Sequence, residues 1–294
     1  LDHASMAQAI MVVKNAMVLT ARETDPCTYM DEHSFRLYQL ERGISIAIYG
    51  MVPSRQMPLE SYVGYTAFKN GYPVAYGGAW IFGARANFGI NIFTPYRSGE
   101  SAFVMAQLLR LYRHVFDIRY FEVEGYQFGL NNPEGIASGA FWFYYRFGFR
   151  PVDKEICKQA ELEQQKIKSR KNYRSSAKTL VGFTGGNIAL NLGNSIPADV
   201  IQISTQVLSS IKKDWKNNYQ QARKQAVERF CKLVQLNINS LSAMEIKIME
   251  DLALWAMAMQ VTNKQKLQLM KQMVFTSTTD IYAYQDLLRK FFKK

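Results

Sequence analysis

Histidine and cysteine are scarce here, with three of each in 294 residues. Cys27, Cys157 and Cys231 lie far apart, and no two stand in a C-x-x-C spacing. Zinc frameworks need clustered Cys and His at short, fixed spacings, so the sequence predicts no metal site. Separated thiols, odd in number, fit a reducing compartment, and the expectation is a cytoplasmic protein. No run of 18 apolar residues occurs, which predicts no transmembrane helix and no membrane partner. Ala4 to Ala21 is rich in apolar residues, but Lys14 and Asn15 interrupt it and no basic stretch precedes it. It does not read as a signal peptide. The chain opens on Leu1 rather than Met, which reads as a piece of something longer.

Apolar residues make up 48% of the chain, charged residues 20% and aromatics 13%, enough for a substantial core and unlike a disordered composition. The formal charge is +12. A basic balance attracts nucleic acid, anionic surfaces or phosphorylated cofactors and says nothing about fold. The excess gathers in two runs, Lys166 to Arg174 and Arg289 to Lys294. Such runs most often form a solvated face.

Helical spacing over residues 5–21 predicts a first helix, ended at Asp25-Pro26, and residues 32–41 read as a second, closed by Gly43. Ile44 to Tyr49 alternates as a strand does. Three more strands follow: Tyr62 to Phe68, Val74 to Phe82 and Asn87 to Phe93, the first pair joined by an Asn70-Gly71 hairpin signal. Gly77-Gly78 reads as a bulge. Residues 101–116 predict a helix with Phe103, Ala106, Leu109 and Tyr112 on one face. A strand over 119–123, a helix over 135–147 and a strand beginning at Phe149 complete this part. After Asp153 the composition turns helical: 154–170, then from Ser195 to Trp215, Asn218 to Leu236, Ser240 to Met259, and Asp280 to Phe292 with Asp280 as N-cap. Thr184 to Asn187 reads as a turn, and Trp255, Met257 and Met259 as core. The predicted class is α/β (α+β). It comprises N-terminal helices over 1–43, a mixed, mostly antiparallel sheet flanked by helices over 44–153, and a mainly helical region over 154–294.

Two segments carry chemistry. Phe93 to Ala102 is a strand end, a short loop with Gly99, and a helix start at small residues. A helix N-terminus exposes unpaired N–H groups that suit a pyrophosphate, and Arg97 adds charge. Ala140 to Val152 sets an aromatic helix against Gly148 and a returning strand. Together these resemble the GNAT-type acyl-CoA N-acyltransferases, as a divergent member, over roughly Tyr62 to Asp153. Ala140 to Val152 is similar to the family's closing segment, and Tyr96 to Ala102 to its pyrophosphate loop.

The resemblance implies a site for acetyl-CoA or another acyl-CoA. The pantetheine arm would pair with the strand through Asn91, Ile92 and Phe93, splayed from the strand Arg119 to Glu124. The diphosphate would rest on Arg97, Ser98, Gly99, Glu100, Ser101 and Ala102. Asn131 takes the place of the Asn that follows the family's central strand, and Tyr144 that of its general acid. Glu124 and Glu122 are the candidate bases for an amine acceptor, which must be neutral to attack a thioester.

The chain also departs from the pattern. Tyr96 stands where Gln or Arg is usual, and Ser101 where Gly or Ala is usual. No room exists between Tyr49 and Tyr62 for the usual two helices, and Pro133 to Gly139 lengthens the path to Tyr144. Three functions follow in order. The first is acyl transfer to a small amine or a protein acceptor. The second is a catalytically inactive CoA-binding or protein-interaction module. The third is nucleic-acid binding through the basic segments after Lys154.

Overall fold

A computed structural model describes residues 3–97 and 99–293. Among them one sheet of eight strands is surrounded by twelve α-helices. The strands are β1 (Arg36–Gln39), β2 (Ile44–Gly50), β3 (Ser61–Lys69), β4 (Tyr72–Phe82), β5 (Arg85–Ile92), β6 (Tyr120–Val123), β7 (Arg150–Pro151) and β8 (Ile188–Asn191). Their spatial order is β1-β2-β3-β4-β5-β6-β8-β7. Every neighbouring pair is antiparallel except β5 with β6.

The hairpins form where the turn chemistry demands them. Asn70 and Gly71 both take positive φ, +48° and +85°, the conformation of a two-residue turn whose twist matches the strands it joins. Gly77 and Gly78 work differently from the expected bulge. They stay in register with Tyr65 and Gly64, and the register shift falls between Ala67 and Phe68. Their lack of side chains allows close approach, because a Cβ on Gly78 would sit 2.6 Å from the Tyr62 ring.

Helices α1 (His3–Leu19) and α2 (Asp25–Thr28) precede the sheet. Ile10, Val13 and Met17 of α1 pack with Phe35, Ala47, Tyr49 and Phe68 on one face. The helix expected over residues 32–41 is instead a short 3-10 turn, strand β1 and a second 3-10 turn. Pairing of Arg36 to Gln39 with β2 outweighed local helical preference. The opposite face carries α3 (Ser101–Phe116). Its buried side is Val104, Met105, Leu108, Leu109, Leu111 and Tyr112, so Leu109 and Tyr112 of the expected face are buried, Phe103 is half-buried and Ala106 is exposed.

The helix expected over 135–147 is two, α4 (Pro133–Ala137) and α5 (Ala140–Arg146), broken where Gly139 takes φ +65°. Beyond β7, α6 (Lys154–Ser169) and α7 (Ala177–Phe183) precede β8. Residues 177–183 and 188–191 have too few periods for their pattern to be read from sequence, and both escaped prediction. Ala160, Leu180, Phe183 and Ile188 join the sheet's own core.

A separate core unites α8 (Val200–Trp215), α9 (Tyr219–Val234), α10 (Ala243–Ala258), α11 (Lys264–Thr279) and α12 (Ile281–Phe292). Trp255 lies at its centre, fully buried, whereas Met259 is 41% exposed rather than core. Helix α12 starts at Asp280, whose carboxylate accepts from the Tyr282 and Ala283 amides, as expected of an N-cap. It also welds the two cores together. Gln285, 1% exposed, accepts from the Gly83 amide and donates to Ser61 Oγ and the Ile81 carbonyl. Tyr282 and Tyr284 donate to the carbonyls of Ser34 and Leu59. Among the described residues no helix is long and apolar enough to cross a membrane.

Candidate functional site

The parallel pair at the middle of the sheet is short. Strands β5 and β6 register at Arg85 with Tyr120, Ala86 with Phe121, and Asn87 with Glu122. Beyond Asn87, β5 runs on to Ile92, whereas β6 stops at Val123 and the chain turns into a 3-10 segment, Gly125–Phe128. No strand among the described residues pairs with the outer edge of β5 from Phe88 to Ile92. Backbone amides and carbonyls left open inside a sheet call for another partner. The slot that opens here contains the predicted Asn91 and Ile92 and leads to Phe93. Gln127 stands beside it, and a Cβ added to Gly89 would lie 3.2 Å from its Nε2.

The face toward α3 is aromatic. Tyr65 stacks on Phe88 with centroids 6.0 Å apart and donates its hydroxyl to the Gly89 carbonyl at 3.1 Å. Tyr144 belongs to this same core, 2% exposed, with Phe149 at 5.5 Å between centroids. Burial pushes its phenol well above the ordinary tyrosine range, and it contributes in turn to the upward shift of Tyr65. Tyr144 is therefore a neutral phenol within the core that also contains Phe88 and Ile90 of β5. Among the described residues its hydroxyl has no hydrogen-bond partner.

The other face is charged. Alternation on β6 brings Glu122 and Glu124 to the side opposite Phe121 and Val123. The two carboxylates are held differently. Glu122 is 7% exposed, with one oxygen ion-paired to Arg85 and the other accepting from Asn187 at 2.8 Å. Arg85 also reaches Asp199 at 3.1 Å and lies over the Tyr120 ring. Glu124 is exposed and accepts from Asn87 at 2.5 Å, with its second oxygen outside that bond. Glu60 joins the periphery, where burial, reinforced by Asp199 and opposed by Arg85, raises its carboxyl.

The loop into α3 holds the remaining predicted residues. Arg97 donates to the Ile92 carbonyl at 2.9 Å and pairs with Glu134 of α4, so its charge is already answered. Gly99 takes φ +70° with open space where a side chain would point. Glu100 pairs loosely with Lys69 at 3.5 Å and makes no side-chain cap. Ser101 donates to the Arg97 carbonyl, and Ala102 is exposed. Ser98 lies outside the described residues. Asn131 takes φ +52° and is exposed, and it is the next residue, Asn132, that caps α4 by accepting from the Gly135 amide.

The fold thus brings Asn91, Ile92, Phe93, Arg97 and residues 99–102 into one run, with Tyr144 on one face and Glu124 and Glu122 on the other. Asn131 stays apart on its turn. Arg85, Gln127, Asn187 and Asp199 went unnoticed in the sequence. Asn87 and Arg85 were accessible through the period of two along β5. Asn187 and Asp199 were not, because they reach the site through a strand insertion and a helix cap distant in the chain. Among the described residues no group of His, Cys, Asp and Glu is arranged to hold a metal ion. Compared with known proteins, the chain matches no family model, no curated protein and no solved structure.

Proposed function

We propose that the protein binds an acyl-CoA in the slot between β5 and β6 and transfers the acyl group to an amine, as a GNAT-type N-acyltransferase would. One observation carries the reading. A parallel pair that closes at three positions and then opens leaves the β5 edge free where an extended pantetheine arm, with its two amides, finds backbone partners. The loop after Ile92 leads into the N-terminus of α3, which suits the diphosphate. The sheet order and the aromatic closing segment support the same reading.

In this reading the incoming ammonium gives a proton to Glu124, which has an unoccupied oxygen. The amine nitrogen then attacks the thioester carbonyl, the C–S bond breaks, and the thiolate takes a proton from Tyr144; the nitrogen's surplus proton restores the Tyr144 phenol, and Glu124 gives its proton to solvent. Tyr144 is a neutral phenol with a proton to give, and burial makes it a weaker acid than a free tyrosine, so the proton moves only to the basic thiolate at the moment the C–S bond breaks. Glu122 acts as a structural anion, its oxygens being committed to Arg85 and Asn187. Holding substrate and both groups in place supplies much of the catalysis.

Titration of the protein with acetyl-CoA by calorimetry tests the reading. Binding is expected, and Gly89→Trp should abolish it by filling the slot against Gln127. Tyr144→Phe should lower release of free CoA thiol at least tenfold with binding preserved. Absence of heat at millimolar acetyl-CoA overturns the proposal. A second reading, a CoA-binding module without turnover, is favoured by the Arg97–Glu134 pair and the occupied Glu122. It predicts binding with no thiol release across small amines and peptides.

A further inference from the structure

Strands β7 and β8 are antiparallel neighbours, an arrangement that a tight turn usually connects. Here residues 152–187 intervene, with α6 and α7 and the loop between them. Residues 163–178 hold six cations and one carboxylate, a net +5 of the chain's +12. The carboxylate, Glu163, is buried and committed, accepting from Tyr173 at 2.8 Å and pairing with Lys166 at 3.1 Å. Lys168, Arg170, Lys171, Arg174 and Lys178 are all exposed, and none forms an ion pair among the described residues.

This contrasts with four arginines elsewhere in the sheet body. Arg85, Arg97, Arg110 and Arg119 each have a carboxylate partner. The loop is also tied down at two points, Tyr173 and Ser175. Tyr173 holds Glu163, and the indole of Trp142 on α5 donates to Ser175 at 3.0 Å. The cations therefore project from a fixed platform rather than from a loose tail.

We infer that the α6–α7 loop is a binding surface for single-stranded nucleic acid. Five unanswered cations, Lys168 at the end of α6, Arg170, Lys171 and Arg174 in the loop and Lys178 at the start of α7, match a phosphodiester chain, and the two guanidiniums can each fork onto a phosphate. Arg170 lies over the Tyr173 ring at 5.8 Å, setting planar groups on which bases stack. A membrane surface fits less well. Insertion there is strengthened by exposed apolar side chains among the cations, and the large ones closest in sequence, Leu162 and Val181, lie on the flanking helices outside residues 163–178. This inference stands apart from the acyl-transfer reading, since it rests on a different loop.

Fluorescence anisotropy with a labelled oligouridylate, at 50 to 300 mM KCl, tests it on the intact chain. A variant with Lys168, Arg170, Lys171, Arg174 and Lys178 each changed to Gln should bind at least tenfold more weakly at 100 mM KCl. Its log–log salt slope should be shallower by about 3, from roughly 0.7 per lost phosphate contact. A control with Lys212, Lys213, Lys216, Lys224 and Lys232 changed to Gln removes the same charge from the helical region and should stay within twofold. The inference falls if the control weakens binding equally or if the intact protein fails to bind at 50 mM KCl. It also falls if phosphatidylserine vesicles, and not the oligonucleotide, respond to the loop variant.

Discussion

The sheet body and the helical body bury their interiors by different means. Of the largest fully buried side chains, Tyr49, Tyr65, Tyr112, Phe35, Phe88, Phe116, Phe121, Phe128, Phe141 and Phe149 belong to the sheet body. The helical body contributes Trp255 and Tyr284, and otherwise fills with Leu, Ile, Val and Phe side chains joined by Ala222, Ala226, Ala253, Met249, Met270 and Met273. Rings interlock at defined angles, as Phe88 does edge-on to Tyr112 at 81° and to Phe121 at 88°. Methionine adapts to irregular gaps, and alanine lets helices approach closely. The stiff interior holds the open slot in shape, and the adaptable interior buttresses it.

That contrast sets the scale of the first test. Phe88→Ala and Trp255→Ala should each cost about 4 kcal/mol in urea denaturation. Trp255 is walled by the rings of Phe82, Phe291 and Phe292, as Phe88 is by Tyr65, Tyr112 and Phe121, so both cavities should persist and bind xenon. Met270→Ala, in the adaptable part of the helical body, should leave a void that refills. Xenon binding at Met270→Ala would break the comparison.

Next in size is the seam. Gln285→Leu leaves the Gly83 amide, the Ile81 carbonyl and Ser61 Oγ without their buried partner, a loss of about 3 kcal/mol. It should also split one unfolding transition into two, followed by aromatic and by helical circular dichroism. Smaller again, Asp280→Ala removes the α12 cap and should cost about 1 kcal/mol. It should loosen the seam without splitting the transition.

The smallest effect is a gain. Asp251 in the helical body is half-buried, and burial, reinforced by Glu250, raises its carboxyl above the ordinary range. A carboxyl raised on folding stabilises fully below its unfolded pKa, and that contribution is lost as pH rises through the folded value. Asp251→Asn should therefore raise the urea midpoint at pH 7 and match the parent below about pH 4, near the ordinary aspartate pKa. A gain that persists at pH 3 would point to packing instead.

The same two bodies differ in how far the sequence revealed them. Strands β2 to β6 announced themselves through alternation and through Asn70-Gly71, signals that are local. The slot was legible as well, since the strand ending at Ile92 and the loop to Ser101 lie within one segment. The partners of Glu122 were not. Asn187 arrives only because β8 wedges beside β6, and Asp199 only because it caps α8 facing Arg85. Strand β1 misled for the complementary reason: Arg36 to Gln39 has helix-compatible residues, and its identity comes from the edge it pairs with. Helix α11 escaped because Lys264 to Thr279 shows only a blurred apolar face, with Thr276 to Thr279 at its end.

The position of β8 has a consequence for how the molecule assembles. Strand β7 hydrogen-bonds only to β8, which comes after the α6–α7 excursion, and β8 must also meet β6 across the whole span from Val123 to Ile188. The meander β2 to β5 can zip by short loops, each adding little closure entropy. The far edge must wait for a long-range capture, which raises contact order and slows folding. Until β8 arrives, the outer edge of β6 stands bare and Glu122 lacks Asn187. Completion of the sheet's charged face thus depends on its longest-range strand pairing.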